Sequence, residues 1–403
     1  MKKLTICIMN FICLVIVTGC WDRVELNDVA IVTGIAVEKG KDSKYKMTVE
    51  VINPTENAKM QAQGNAPSTV YSQEGNSVSE LAHRMNVGLS RELIYSHTRV
   101  FVIGTDIAEE GMMNFLDFLE RSGEFRNDFN ILLNEEGKAS NVIKVTYPLQ
   151  KVSSLKVNKQ IEMFYRDWGG DPNVRLTDFI SALTSDGKEP TIATIKVKGD
   201  AKKGSSVENI QKTDLDAIVE VTGLAVFKGD KLVGRLPINA TRSYLWLREL
   251  NSTSLTVPCE NDENKYVDLR ILESSSSIQS EIKNGNPHFS VRINAEGKVE
   301  GTQCTPDLEK IKTYKSIEET AEKLIQTDVE DTIKKVQEDY QSDIFGFGEV
   351  LNRQHYAEFQ KRKRDWNEHF AKATIDVNVK VFLRRSGIRN KSFETEIREN
   401  KEQ

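Results

Sequence analysis

Histidine, proline and cysteine are all scarce in this chain: five, nine and five residues respectively among 403. The histidines, His83, His97, His288, His355 and His369, are scattered and carry neither HExxH nor any other ligand spacing. Each reads as an ordinary surface or core side chain, so a histidine-built metal centre has no scaffold here. A GxSxG nucleophile elbow and a Walker phosphate loop are both missing. Gly346-Phe347-Gly348 is a GxG, but it follows a helical pattern rather than a strand and lacks the third glycine. It reads as a tight helix-to-helix turn with Phe345 and Phe347 packed inward. Positive charge is also in deficit, 55 Lys and Arg against 60 Asp and Glu, for a net charge of −5. An acidic body argues against nucleic acid, which calls for a basic patch. Carboxylates are plentiful, and no two of them single themselves out as acid and base.

Long apolar runs are missing as well, except at the start. Lys2 and Lys3 precede an almost wholly apolar stretch from Leu4 to Val17, interrupted mainly by Thr5 and Asn10. That run is too short to span a bilayer and has no stop-transfer flank, so it reads as a secretory signal. Removing residues 1–19 takes away two lysines and no acid, which moves the net charge from −5 to −7. Cys7 and Cys13 leave with the signal, and Cys20 directly follows it. Cys259 and Cys304 remain, each near the end of a strand-like segment in an exported body where oxidation is open to them. They are either a disulfide, worth about 4 kcal/mol on the chain-entropy model, or two separate buried thiols. No CxxC or clustered His accompanies them, so zinc and other cofactors are not expected.

The chain is long enough for two or three domains. Residues 29–37 and 45–51 alternate as two strands around a Gly/Lys/Asp turn, a hairpin. Residues 53–75, rich in Asn, Gln, Pro and Ser, read as a mobile loop. Ser77-Val-Ser-Glu80 is a capping box opening a helix with Leu81, Met85 and Leu89 on one face. His97 to Gly104 reads as a buried strand, then a helix with Met112, Phe115, Leu116 and Leu119 inward, then a strand at 129–133. A polar linker, Lys198 to Ser206, follows. Val221-Thr-Gly-Leu-Ala-Val-Phe227 echoes Val32-Thr-Gly-Ile-Ala-Val37, either as a duplicated unit or as two hairpins with similar turn chemistry. A helix at 241–250, strands at 254–258, 266–273 and 288–295, amphipathic helices from 306 to 340, a helix over 349–371 and a terminal strand at 375–385 complete the pattern. The fold class is α+β: multi-domain, with hairpin-rich antiparallel sheets and long C-terminal helices. The expected divisions are a signal peptide at 1–19, mixed α/β domains at 20–200 and 201–385, the latter with a second division near 300, and a charged tail at 386–403. Two motifs stand outside this pattern. Lys361-Arg362-Lys363-Arg364 is either a solvated helix face balanced by Glu358, Asp365 and Glu368 or a dock for phospholipid heads or an acidic partner. Trp168-Gly169-Gly170-Asp171 reads as an exposed loop that a partner could grip.

Val17-Thr-Gly-Cys20 resembles the lipobox of bacterial lipoproteins, where cleavage leaves the cysteine first and lipid-modified. A diacylglyceryl group on that thiol, with or without an N-acyl chain, anchors durably where a single acyl chain binds reversibly. The block Gly19-Cys20-Trp21-Asp22-Arg23-Val24-Glu25-Leu26-Asn27-Asp28, with Val32 to Val37, Arg91-Glu92 and Ser96-His97, resembles the Ger(x)C (GerAC-like) lipoproteins of spore germination. Val221 to Phe227, Leu255-Thr-Val-Pro-Cys259 and Ser342-Asp-Ile-Phe-Gly-Phe-Gly-Glu349 extend the likeness through the C-terminal half. The resemblance implies three mixed α/β domains with no recognised catalytic site. It also implies the C subunit of a nutrient germinant receptor, acting with polytopic A and B subunits at the outer face of the spore inner membrane. Its one transferable site residue is the lipidated Cys20; a non-enzyme without direct nutrient binding is expected. Two rivals stand beside it: a solute-binding lipoprotein of a transporter, and an envelope enzyme acting on wall material.

Overall fold

A computed structural model of the chain describes residues 28–57, 64–248, 250, 252–260, 262–304 and 310–384. The signal segment, Cys20, the Trp21-to-Asn27 block and the 386–403 tail lie outside the described residues.

The first sheet has nine strands: β1 (Val29–Lys39), β2 (Tyr45–Ile52), β3 (Ser68–Gly75), β4 (Glu92–Ile94), β5 (Val100–Gly104), β6 (Asn130–Asn134), β7 (Thr191–Gly199), β8 (Ala217–Lys228) and β9 (Lys231–Pro237). Their order is β3-β2-β1-β5-β6-β7-β8-β9, with β4 beside the start of β1. The middle, β1-β5-β6-β7, is parallel, and antiparallel hairpins finish both edges. Parallel strands need cover on both faces, and the sequence supplies it: every residue of Val-Phe-Val-Ile-Gly in β5 and Asn-Ile-Leu-Leu-Asn in β6 is buried. Phe101, Ile103, Ile131 and Leu133 face one core with helices α1 (Val78–Arg84), α2 (Thr105–Glu110), α3 (Met113–Arg121) and α5 (Leu176–Leu183). Val100, Val102 and Leu132 point the other way, toward α4 (Ser153–Trp168) through Val157 and Ile161.

Residues 68–75, expected in a loop, form β3 and pair with β2 from Ile52↔Ser68 to Tyr45↔Gly75. The polar sequence suits an edge strand, whose residues here are nearly all half-buried. The two Val-Thr-Gly blocks lie in hairpins of the same sheet, and each skips a register step at its threonine, Thr33 or Thr222. The expected boundary near residue 200 falls between β7 and β8, which are paired neighbours.

Helix α6 (Ile238–Trp246) leads into the second sheet, ordered β10 (Thr253–Cys259), β11 (Asp262–Lys283), β12 (Asn286–Thr302) and β13 (Thr374–Leu383). β11 and β12 form a hairpin much longer than the expected strands, because alternation continues through polar residues such as Ser274 to Ser277. β13 returns parallel to β12. Helix α7 (Ile311–Lys335) lays Ile317, Ala321, Ile325, Val329 and Ile333 on this sheet at a spacing of one helical turn. The single helix expected over 349–371 is three: α8 (Phe347–Gln354), α9 (Tyr356–Arg362) and α10 (Trp366–Lys372). His355, at φ −139° and ψ 61°, breaks the first from the second. Cys259 at the end of β10 is bonded to Cys304 beyond β12, with Cα atoms 6.3 Å apart.

The two sheets share apolar packing. Leu224 and Val226 of β8 and Leu236 of β9 belong to the same core as α6 and the second sheet, whereas Ala225 and Phe227 face the first.

Candidate functional site

Three of the buried carboxylates are tied to backbone amides. Glu50 of β2 is fully buried, and its two oxygens accept the first amides of α4, Ser153 N and Ser154 N, both at 3.0 Å. Ser68 Oγ donates to it at 2.8 Å. Burial pushes this carboxyl up, and the serine hydrogen bonds pull it back. Gly34 on β1 lets α4 start this close, since a Cβ there would come within 2.6 Å of the Ser154 Cβ. Glu38 plays the same part for the turn of helix Ala139–Val142, accepting from Ser140 N at 3.2 Å and Ser140 Oγ at 3.1 Å. In each case a carboxyl group accepts from the otherwise unpaired amides at the start of a helix.

Asp343, inside the Ser342-to-Glu349 block, is the fullest example. Oδ1 accepts from Gly346 N (2.9 Å) and Phe347 N (3.2 Å), and Oδ2 from Gly348 N (2.8 Å) and the indole Nε1 of Trp366 (2.8 Å). Burial still pushes its carboxyl up to about 6 against these four donors. Phe345 and Phe347 are packed inward, Phe347 with its ring centroid 4.8 Å from that of Phe289. The same block grips the first sheet: Ser342 Oγ donates to Phe227 O at 2.6 Å and Glu189 N to Asp343 O at 2.8 Å. Gly348 faces Gly187, and a Cβ on Gly348 would meet the Gly187 Cα at 2.6 Å.

The Trp168-to-Asp171 turn is not an exposed grip. Gly169, Gly170 and Asp171 are buried, Gly169 facing Leu250 and Gly170 facing Phe164, while Thr253 Oγ1 donates to Trp168 O at 2.7 Å and the Arg242 guanidinium lies 4.9 Å from the Trp168 ring centre. Asp171 Oδ1 accepts from Asn173 N at 2.6 Å, and Oδ2 has no partner. Burial pushes this carboxyl up to about 7, with the Asn173 amide opposing.

Between these two blocks lies a cleft of about 630 Å3, lined from α4, α5, the start of β7, α6, β11 and α8. At its wall the buried Tyr244 hydroxyl accepts from Arg248 Nη1 at 2.5 Å. Burial alone would raise this phenol, but the Arg248 and Lys188 charges and hydrogen bonds with Thr191 and Arg248 outweigh it and hold it below the usual tyrosine value. No spacing in the sequence announces this cleft.

The basic cluster is largely spent on the protein itself. Lys361 pairs with Glu358 at 2.5 Å, Arg362 with Glu358 at 2.7 Å and with Gly285 O at 2.9 Å, and Lys363 with Asp186 at 2.5 Å. The histidines stay apart. His288 sits between Glu281 (3.1 Å) and Asp376 (3.0 Å), and His355 Nε2 is 2.8 Å from Ser280 O. His83, His97 and His369 lie beside Glu124, Ser96 and Asp365. Among the described residues no group of three His, Cys, Asp or Glu side chains is placed to hold a metal.

Comparison with known proteins matches nearly the whole length. Residues 22–197 match the spore germination protein N-terminal domain, and residues 222–387 the spore germination B3/GerAC-like C-terminal domain. Spore germination protein KC of Bacillus subtilis (strain 168) is 29% identical over 407 residues, covering 99% of this chain and 100% of that protein. Spore germination protein B3 of the same organism is 22% identical, with 92% of this chain and 95% of that one covered. The crystal structure of the GerBC protein superposes with a TM-score of 0.52 over 87% of this chain and 97% of its own, at 18% identity, a likeness of fold. On sequence and fold together, the chain belongs to the GerAC-like family of spore germination proteins.

Proposed function

We propose that this chain is the lipid-anchored C subunit of a spore germinant receptor, working with A and B membrane subunits at the outer face of the spore inner membrane. The family match over both halves of the chain carries this reading. The lipobox-like Val17-Thr-Gly-Cys20 supports the anchor, with the Cys20 thiol holding the lipid. Among the described residues no helix is long and apolar enough to cross a membrane. A two-chain lipid on Cys20 would hold such a body durably beside its membrane partners. The role is assembly rather than catalysis: the buried carboxylates Glu38, Glu50 and Asp343 serve helix ends, leaving them no reacting group to address. The rival solute-binding lipoprotein calls for two lobes of βα units, whereas one nine-stranded mixed sheet and one four-stranded sheet share a core here.

Spores carrying Cys20→Ala test the reading. The body should fold, leave the membrane fraction, and slow germination in the nutrient its receptor serves. Normal germination with normal membrane retention would overturn it.

A further inference from the structure

The cleft between the two sheets has more hydrogen-bond donors than the protein uses. Six charged side chains line it: Asp178, Glu189, Glu349, Lys188, Arg248 and Arg353. Their formal charges cancel, so the field alone selects no ligand; hydrogen bonding does. The acids are engaged. Glu189 accepts from Gly229 N (2.6 Å) and Asn367 Nδ2 (2.6 Å), Asp178 from Arg175 N (2.9 Å), and Glu349 from Ser185 Oγ (2.9 Å). The cations are less so, although the Lys188 and Arg248 charges act on the Tyr244 phenol and Glu349 and Asp178 act on Arg248. Among the described residues the Lys188 ammonium and the Arg353 guanidinium have no hydrogen-bond or ion-pair partner, and Arg248 gives one N–H to Tyr244. The backbone amides opening α8 are already taken by Asp343, so recognition falls to these side chains.

We propose that this cleft binds a small oxyanion, a carboxylate or phosphate group, held by Lys188, Arg248 and Arg353. The volume, about 630 Å3, lies within the range of small-molecule sites. A planar guanidinium and an ammonium with free donors are the groups that take carboxylate and phosphate oxygens. Lys188 precedes β7 and Arg353 closes α8, so an anion between them would brace the first sheet against the second. The inference goes beyond the assembly role, does not depend on it, and assigns no nutrient.

Isothermal titration of the full-length chain in detergent tests it, with sodium succinate and inorganic phosphate as probes and sodium chloride matching ionic strength. Saturable binding of either probe is expected, and the tighter of the two names the class. Lys188→Gln and Arg353→Gln should each weaken it about tenfold, the loss of one charge-assisted hydrogen bond, while leaving the unliganded melting temperature unchanged. Lys361→Gln, outside the cleft, should bind as the native chain does. No saturable heat up to tens of millimolar with either probe, or equal affinity in the native chain and both cleft variants, would overturn the site.

Discussion

Asp171 buries a carboxyl with one donor where a charge needs several, and Asp171→Asn should therefore stabilise the protein in a strictly pH-dependent way. The side chain is fully enclosed; Oδ1 has the Asn173 amide at 2.6 Å and Oδ2 has nothing. Burial lifts the carboxyl from 3.8 to about 7. Between those values the folded chain holds a proton that the unfolded chain has released. Stability is then complete below about pH 4 and falls as pH rises to about 7. At about 1.4 kcal/mol per unit the whole span is worth about 4 kcal/mol, of which about 3 lies above pH 5. The asparagine amide oxygen still accepts the Asn173 amide and cannot ionise, so the variant mimics the protonated acid throughout. Urea unfolding of both proteins at about pH 5 and about pH 8 reads the effect as the change in their stability difference. Any constant offset from exchanging O–H for NH2 cancels. So does Asp343, which falls in the same direction toward about pH 6 in both proteins. The variant should gain about 3 kcal/mol on the native chain across that interval. An equal difference at both pH values would refute the argument that burial sets this group's protonation.

Asp343→Asn turns an acceptor of four hydrogen bonds into a group whose NH2 faces N–H donors at Gly348 or Gly346. A loss of about 3 kcal/mol is expected, with Trp366 fluorescence reporting the loosened indole contact alongside the urea midpoint. Removing the Cys259–Cys304 bond by Cys304→Ser frees a loop of sequence separation 45. The chain-entropy model puts the cost at about 4 kcal/mol, and reductant should destabilise the native chain without moving the variant.

What the sequence showed plainly were runs whose pattern and burial agree. His97 to Gly104 read as a buried strand and Phe129 to Leu133 as a short one, and β5 and β6 form there because the parallel middle of the sheet demands apolar residues on both faces. Phe345 and Phe347 read correctly as inward because a Gly-Phe-Gly break after a helix leaves few other places for two rings. β3 was hidden because an edge strand tolerates polar residues on both faces. Helices α4 and α5 went unread; the start of α4 is secured by Glu50, 103 positions away from Ser153, and no local spacing encodes such a cap. The Trp168-to-Asp171 turn looked exposed since glycine and aspartate favour surface turns, and the residues packed on it include Leu250, Thr253 and Arg242 far along the chain. The oxyanion cleft was invisible for the same reason, being lined from six separate elements.

The sequence divides near residue 200, and so do the two family matches, yet a fragment ending there should not fold. β7 pairs with β8 from Thr191↔Val226 to Gly199↔Ala217, so cutting between them leaves a nine-residue edge unpaired. Phe227 also leaves, and with it the edge-to-face contact with Phe179 at 5.3 Å. Extending the fragment to Pro237 restores the strands but exposes Leu224, Val226 and Leu236, whose partners are α6 and the second sheet. Because the two faces of β8 serve different cores, neither sheet can lose the other without uncovering apolar surface. The full body should therefore unfold in one calorimetric transition, with van't Hoff and calorimetric enthalpies agreeing. A fragment 28–200 that gave a dispersed amide spectrum and its own cooperative melt would show the opposite: that the sequence division is a folding division, with β8 and β9 added to a sheet already stable without them.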